Sequence, residues 1–286
     1  MEGGKPSIPM VETTSTPSTR NLWLRVASAA VLAPLAVGAA WLGDWPFTVF
    51  WGLAAIAVWW EWIGLLEPSG RNVLLATGVC ALVLQGILVE SGNQSIALMI
   101  VALGVLAGIV TAGKRAPAVA GGLIYASALL MATIIVRSDA SYGFAAIVLL
   151  YAVVWGTDIG GFFAGRAFGG PKLAPAISPK KTWSGALGGT FTGIAAAIAT
   201  ALMFSLPKPV MIGIVALVLS MASQCGDLFE SWLKRRFDAK DSSGLIPGHG
   251  GVMDRLDGFV FAVAAAALIG LARGGFDAPA AGLLVW

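Results

Sequence analysis

Charge is what this chain lacks most: Asp, Glu, Lys and Arg make up 12% of 286 residues, against 57% hydrophobic ones, and the mean hydropathy is +0.84. That composition excludes an ordinary soluble domain and points to a chain that crosses a membrane repeatedly. Cysteine is nearly absent. Cys80 and Cys225 stand far apart without metal-ligand spacing, which excludes a disulfide framework; both are expected as buried free thiols. There is no Gly-x-x-x-x-Gly-Lys-Ser/Thr run, hence no P-loop. No internal repeat of the inverted-repeat transporter kind is visible, and no connecting segment is long enough for a separate soluble domain. Residues 1–21 are polar and rich in Ser, Thr and Pro, which reads as a disordered tail. The apolar segment after it is long enough to span, and reads as an uncleaved helix rather than a removable leader.

What the chain has is hydrocarbon. About 20 apolar residues cross the ~30 Å core of a bilayer as a helix, and the apolar stretches here are continuous rather than alternating, which disfavours a β-barrel. Nine spans are predicted, at residues 24–42, 47–66, 73–89, 95–111, 117–136, 143–163, 185–206, 210–228 and 258–272. With the N-terminus inside, these spans leave every Lys and Arg on the inner side except Arg137, Lys208 and Arg273. Cytoplasmic loops carry the basic excess. The predicted fold is therefore an all-α integral membrane protein, a polytopic bundle of about nine transmembrane helices with a cytoplasmic N-terminus, in the cytoplasmic (inner) membrane.

The sparse charge gathers in two inner loops. One follows the sixth span and holds Asp158, Arg166, Lys172 and the run Ser178-Pro179-Lys180-Lys181-Thr182-Trp183-Ser184. The other, residues 231–257, holds five basic residues, Asp238, Asp241, Asp254, Asp257 and the only histidine, His249. A pair of spans between them returns both loops to one face, so they are able to build one site. Ser223, Asp227, Glu230 and Lys234 recur at spacings of four, three and four, one helical face. That face is either an interfacial ion-pair ladder or a set of oxygen ligands for a hard cation such as Mg²⁺. Asp254 and Asp257 share a face at the start of the ninth span, where a helix dipole favours acids. The dipole alone does not explain an acidic pair bracketing Arg255 directly after Gly248-His249-Gly250-Gly251, a run through which a backbone approaches an anion closely. Lys180 and Lys181 with flanking hydroxyls suit a phosphate, or serve as a topology signal. Asp158, at an apolar helix end, reads as functional or as a partner of Arg166. Glu61, inside Trp59-Trp60-Glu61-Trp62, is a similar but weaker functional signal, and reads equally as a helix-packing or interfacial residue.

Residues 231–257 resemble the signature of the phosphatidate cytidylyltransferase (CDP-diacylglycerol synthase) family. The matching positions are Ser231, Leu233-Lys234-Arg235, Lys240-Asp241, Ser243, Ile246-Pro247, His249-Gly250-Gly251, Asp254-Arg255 and Asp257, and the likeness extends to Gly226-Asp227, Glu230 and residues 178–183. It covers the C-terminal half; the first five spans are similar in hydropathy only. Two positions depart: Gly161-Phe162 stands where Ala-Tyr is expected, and Ser184 where Glu is common. The resemblance implies that residues 143–286 form a catalytic membrane region with two cytoplasmic active-site loops, behind N-terminal membrane helices at 22–142. It implies CTP and phosphatidate as substrates, giving CDP-diacylglycerol and pyrophosphate for phospholipid synthesis.

In that reading Asp227 and Asp254 hold Mg²⁺, with Asp257 and Glu230 in support, and a second cation would clamp both attacking and leaving oxygens. Lys180, Lys181, Lys234, Arg235 and Arg255 hold the triphosphate; Ser178, Thr182, Lys240, Asp158 and the His249-Gly250-Gly251 turn complete the substrate site. A phosphate monoester is already largely ionised near neutral pH, so His249 is expected as a phosphate contact or turn residue rather than a base. No nucleic-acid partner is expected, and homo-oligomerisation is left open. Rival readings are a transporter, with polar residues spread through mid-membrane; a CTP-using polyprenol or phytol kinase, which would release CDP; and a CDP-alcohol phosphotransferase, whose Asp-Gly-x-x-Ala-Arg pattern is missing after Asp257-Gly258.

Overall fold

A computed structural model describes residues 19–246 and 250–286, with side chains at residue 28 and from residue 30 onward. Most of the predicted tail, and His249, lie outside the described residues. Among the described residues ten α-helices run in order: α1 Thr19–Leu42, α2 Asp44–Leu66, α3 Arg71–Glu90, α4 Gln94–Ala112, α5 Ala116–Arg137, α6 Gly143–Phe168, α7 Trp183–Met203, α8 Pro209–Arg236, α9 Met253–Gly274 and α10 Pro279–Leu284. A 3-10 turn, Gly113–Arg115, joins α4 to α5. Between α6 and α7 the predicted loop is an antiparallel hairpin, β1 Lys172–Ala174 with β2 Ser178–Thr182, pairing Lys172 with Thr182 and Ala174 with Ser178.

Among the described residues seven stretches are long and apolar enough to cross a membrane: α2, α3, the run Gln94–Arg137 that contains α4 and α5, α6, α7, α8 and α9. Ala30–Leu42 of α1 is a shorter apolar helix. The chain is therefore a polytopic helical membrane protein; a count of nine treats α1 as a span and divides Gln94–Arg137 in two. Large apolar side chains face outward, including Val110, Phe191 and Val210, which is the surface that lipid solvates. Cys80 and Cys225 are free thiols on that exposed surface rather than buried as expected. In a membrane bundle a small apolar side chain meets the same medium on either face, so burial of cysteine loses its usual driving force.

Two close helix contacts bring the charged ends of the bundle together. Along α6 and α7 glycines face each other: a Cβ on Gly189 would stand 2.6 Å from the Thr157 carbonyl oxygen, and one on Gly188 would stand 2.2 Å from the Ala164 methyl. Small residues let membrane helices approach backbone to backbone, since apolar side chains gain little by leaving lipid. The second contact joins α8 to α9. A Cβ on Gly226 would stand 2.3 Å from the Asp257 carbonyl oxygen, and one on Gly258 would meet Ser223 Oγ at 2.5 Å. Asp227 and Asp257, the chain neighbours of those glycines, are thereby drawn to one crevice. Next to it an aromatic stack of Trp62, Tyr125, Phe229 and Phe261 ties α2, α5, α8 and α9 together, and the Trp62 indole donates to the Ala118 carbonyl at 2.9 Å.

Candidate active site

Helix α8 runs 28 residues, about 42 Å at 1.5 Å per residue. That exceeds the ~30 Å hydrocarbon core, so its last turns, with Glu230 and Lys234, pass beyond the predicted span end at 228. Helix α9 begins at Met253, five residues before the predicted span start, which puts Asp254 in its first turn and Asp257 one turn on. At the end of the bundle where α6 and α8 finish and α9 starts, these groups line a cavity of about 790 Å³ together with Asp158, Lys180, Lys181, Thr182 and Arg255.

The hairpin sets the lysines. Thr182 closes β2 and caps α7, its Oγ1 accepting from the Gly185 N–H at 3.1 Å. Ser184 donates to the Gly169 carbonyl, so the serine at the position where Glu was expected fastens the hairpin to the end of α6. Lys181 forms an ion pair with Asp227. Lys234 lies between two carboxylates, 2.8 Å from Glu230 Oε2 and 2.7 Å from Asp254 Oδ1. Asp254 is further held by the Ser242 N–H at 3.0 Å, the Ser242 hydroxyl at 3.0 Å and the Gly251 N–H at 2.7 Å, all onto Oδ2. Asp257 Oδ1 accepts from the Gly258 N–H at 2.7 Å.

Of the residues singled out in the sequence, Asp158, Lys180, Lys181, Thr182, Asp227, Glu230, Lys234, Asp254, Arg255 and Asp257 are brought to this wall. Ser178, Arg235, Lys240, Gly250 and Gly251 are not among its lining residues; Arg235 and Lys240 are exposed. Gly250 and Gly251 lie against the Asp254 carboxylate. Gly250 has φ +84°, and a Cβ on it would come within 2.7 Å of Asp254 Oδ2. Thr157 and Gln224 also line the cavity and carried no distinct sequence signal; Arg166 and Asp241, seen in the two charged loops but given no site role there, line it as well. Ser242, whose N–H donates to Asp254 and whose single hydroxyl hydrogen lies within reach of both Glu61 Oε2 and Asp254 Oδ2, was likewise not foreseen. Glu61, 1% exposed, accepts from four donors of the same loop and of the α9 N-terminus. Its charge inside an aromatic membrane helix was the available signal.

The donor set suits a hard divalent cation. Six carboxylates, Asp158, Asp227, Glu230, Asp241, Asp254 and Asp257, line one cavity, and Glu230 Oε1 is buried without a hydrogen-bond partner. Among the described residues no three acidic, cysteine or histidine side chains form a ready-made cage. Mg²⁺ commonly takes one or two carboxylates and completes its shell with water and substrate phosphate, so the residues fit such an ion shared with a polyphosphate. Cations on β2, α8 and α9 facing those carboxylates suit a polyanionic substrate.

The sequence profile of the cytidylyltransferase family matches residues 23–271. A Brucella suis biovar 1 protein named phosphatidate cytidylyltransferase is 40% identical over 267 residues, covering 91% of this chain and 97% of its own. A protein of the same name from Brucella abortus biovar 1 (strain 9-941) is 41% identical over 256 residues, 87% of this chain and 93% of its own. One from Bacillus subtilis (strain 168) is 42% identical over 127 residues, 44% of this chain and 47% of its own.

Proposed function

Because the chain belongs to the cytidylyltransferase family, we propose that it transfers CMP from CTP to phosphatidate, giving CDP-diacylglycerol and pyrophosphate. The observation that carries this is the shared cavity at the helix ends, where the cations of β2, α8 and α9 face carboxylates of α6, α8 and α9. A polyphosphate reaches such a cavity from water while acyl chains stay in lipid.

The lipid phosphate, with a second pKa of about 6, is an ionised nucleophile near neutral pH without help from a side-chain base. One of its oxygens attacks the α-phosphorus of CTP. The bond from that phosphorus to the oxygen shared with the β-phosphate breaks, and the oxygen leaves with pyrophosphate; no water is consumed. The obstacle is repulsion between two polyanions, so catalysis consists of positioning and charge neutralisation. Lys181 and Lys234 enter the reaction already aimed, held by Asp227 and by Glu230 with Asp254. On binding they exchange carboxylate for phosphate oxygens, and Lys180 and Arg255 add to the same anion site. Asp227 and Glu230 are the proposed principal Mg²⁺ ligands once their lysines turn to phosphate, with Asp254 and Asp257 beside them; Asp254 has to release Lys234 to take part. Bound Mg²⁺ would neutralise phosphate charge and favour departure of pyrophosphate.

The proposed topology is nine spans with the N-terminus and the cavity on the cytoplasmic side of the inner membrane. Two observations support it. Helices α4 and α5 pack as a hairpin, with Gly104 against Leu123 and Gly108 against Val119. With that hairpin counted as two spans, all but three of the Lys and Arg residues fall on the inner side. Purified protein given phosphatidate, Mg²⁺ and CTP labelled at either the α- or the γ-phosphorus tests the reaction. Transfer of α-label to lipid, with γ-label recovered in pyrophosphate, is expected. Transfer of γ-label to lipid makes the protein a CTP-dependent kinase, and no transfer of either label removes the reading.

A further inference from the structure

The structure assigns Glu61, a residue of the N-terminal half that lines no part of the cavity, the role of positioning the catalytic face of α9. Its two carboxylate oxygens divide four donors evenly. Oε1 accepts from the Ser243 hydroxyl at 2.6 Å and the Val252 N–H at 2.8 Å, and Oε2 from the Ser242 hydroxyl at 3.2 Å and the Met253 N–H at 2.6 Å. The first N–H groups of a helix have no partner within it. Val252 supplies no side-chain cap of its own. Glu61 supplies the cap from α2, and the aromatic stack on Trp62 fixes α2 beneath it. Asp254, Arg255 and Asp257 come within one turn of the capped groups.

The link continues inward. Ser242 reaches both Glu61 Oε2 and Asp254 Oδ2, and Asp254 holds Lys234, which holds Glu230. One hydrogen-bonded path thus joins α2 to the wall of the cavity. It also explains Gly251, because a Cβ there would stand 1.9 Å from Ser242 Oγ and 2.6 Å from Glu61 Oε1. The geometry demands a carboxylate of this length. Each oxygen faces one fixed backbone N–H, so a glutamine amide would set a donor against a donor whichever way it turned. An aspartate is one methylene short.

This inference rests on the cytidylyltransferase reading for its kinetic part only. Glu61→Gln and Glu61→Ala should lower kcat by about 10- to 100-fold, the scale of an ~1 Å misplacement of catalytic groups. KM for CTP should move less than kcat, since Lys180, Lys181 and Asp227 lie on β2 and α8 outside the anchored segment. Glu61→Asp should restore part of the loss. Ser243→Ala removes one donor without touching the cavity wall, and serves as a milder variant should Glu61→Ala fail to fold; its kcat should fall two- to fivefold. Amide hydrogen exchange on the detergent-solubilised full chain is the second readout. Residues 250–256 should exchange faster in Glu61→Gln while α6 and α7 stay protected. Unchanged exchange there, or Glu61→Gln turnover within twofold of the unmodified protein, overturns the role. If the unmodified protein forms no CDP-diacylglycerol, the functional reading falls, and the exchange result still decides the anchor.

Discussion

Replacing Lys234 by methionine isolates the electrostatic logic of the cavity. Its Nζ lies 2.8 Å from Glu230 and 2.7 Å from Asp254, and the three side chains are 15%, 2% and 7% exposed. Methionine preserves the apolar stem but leaves two neighbouring carboxylates without their cation. Removing one partner of a buried pair costs about 3–5 kcal/mol; with an opening to the cavity beside it, about 3 kcal/mol is the expected loss of stability. Adding Glu230→Gln to Lys234→Met deletes one of the stranded charges and should recover roughly 1–2 kcal/mol, a coupling between contacting residues. Activity should not follow stability. The cation proposed to meet phosphate is still absent, and loss of one such electrostatic contact lowers kcat by about 10²–10³-fold. The assay is thermal inactivation in detergent, read alongside CTP turnover, for the single and double variants. A Lys234→Met protein as stable as the parent, or a double variant that regains turnover together with stability, would refute the reasoning.

Asp227→Asn should reduce turnover by about 10²-fold or more with membrane insertion unchanged, because it breaks the Lys181 pair and removes a proposed Mg²⁺ ligand; near-normal turnover takes Asp227 out of both roles. Gly189→Val should lower the yield of folded protein, since its Cβ would press on the Thr157 carbonyl at 2.6 Å and part α6 from α7; normal yield and turnover would show that this approach is not required. His249→Ala should leave measurable turnover, because the lipid phosphate is ionised near neutral pH without a base; complete loss would restore a base to the mechanism.

Hydropathy made the helical membrane fold legible, because a bilayer imposes long apolar helices. The spacing of Asp227, Glu230 and Lys234 made their shared face legible, and α8 keeps it helical to Arg236. Three features were hidden for physical reasons. The lysine run forms a strand because it pairs with residues 172–174, a contact with little local pattern to announce it. The Gly250-Gly251 turn reads as an anion cradle, and its Gly251 N–H also serves the protein's own Asp254. Glu61 lies 181 residues from Ser242, so no motif contains both; only the fold joins them.

The central claim is that CTP and a divalent cation meet between the hairpin lysines and the carboxylates of α8 and α9. Diffraction from the full chain with CTP and Mn²⁺, whose anomalous signal locates the ion, tests it most directly. The expected result is Mn²⁺ against Asp227, with triphosphate oxygens on Lys181 and Arg255 and Lys234 turned toward phosphate. Nucleotide bound elsewhere, or Mn²⁺ away from every one of these carboxylates, would contradict it.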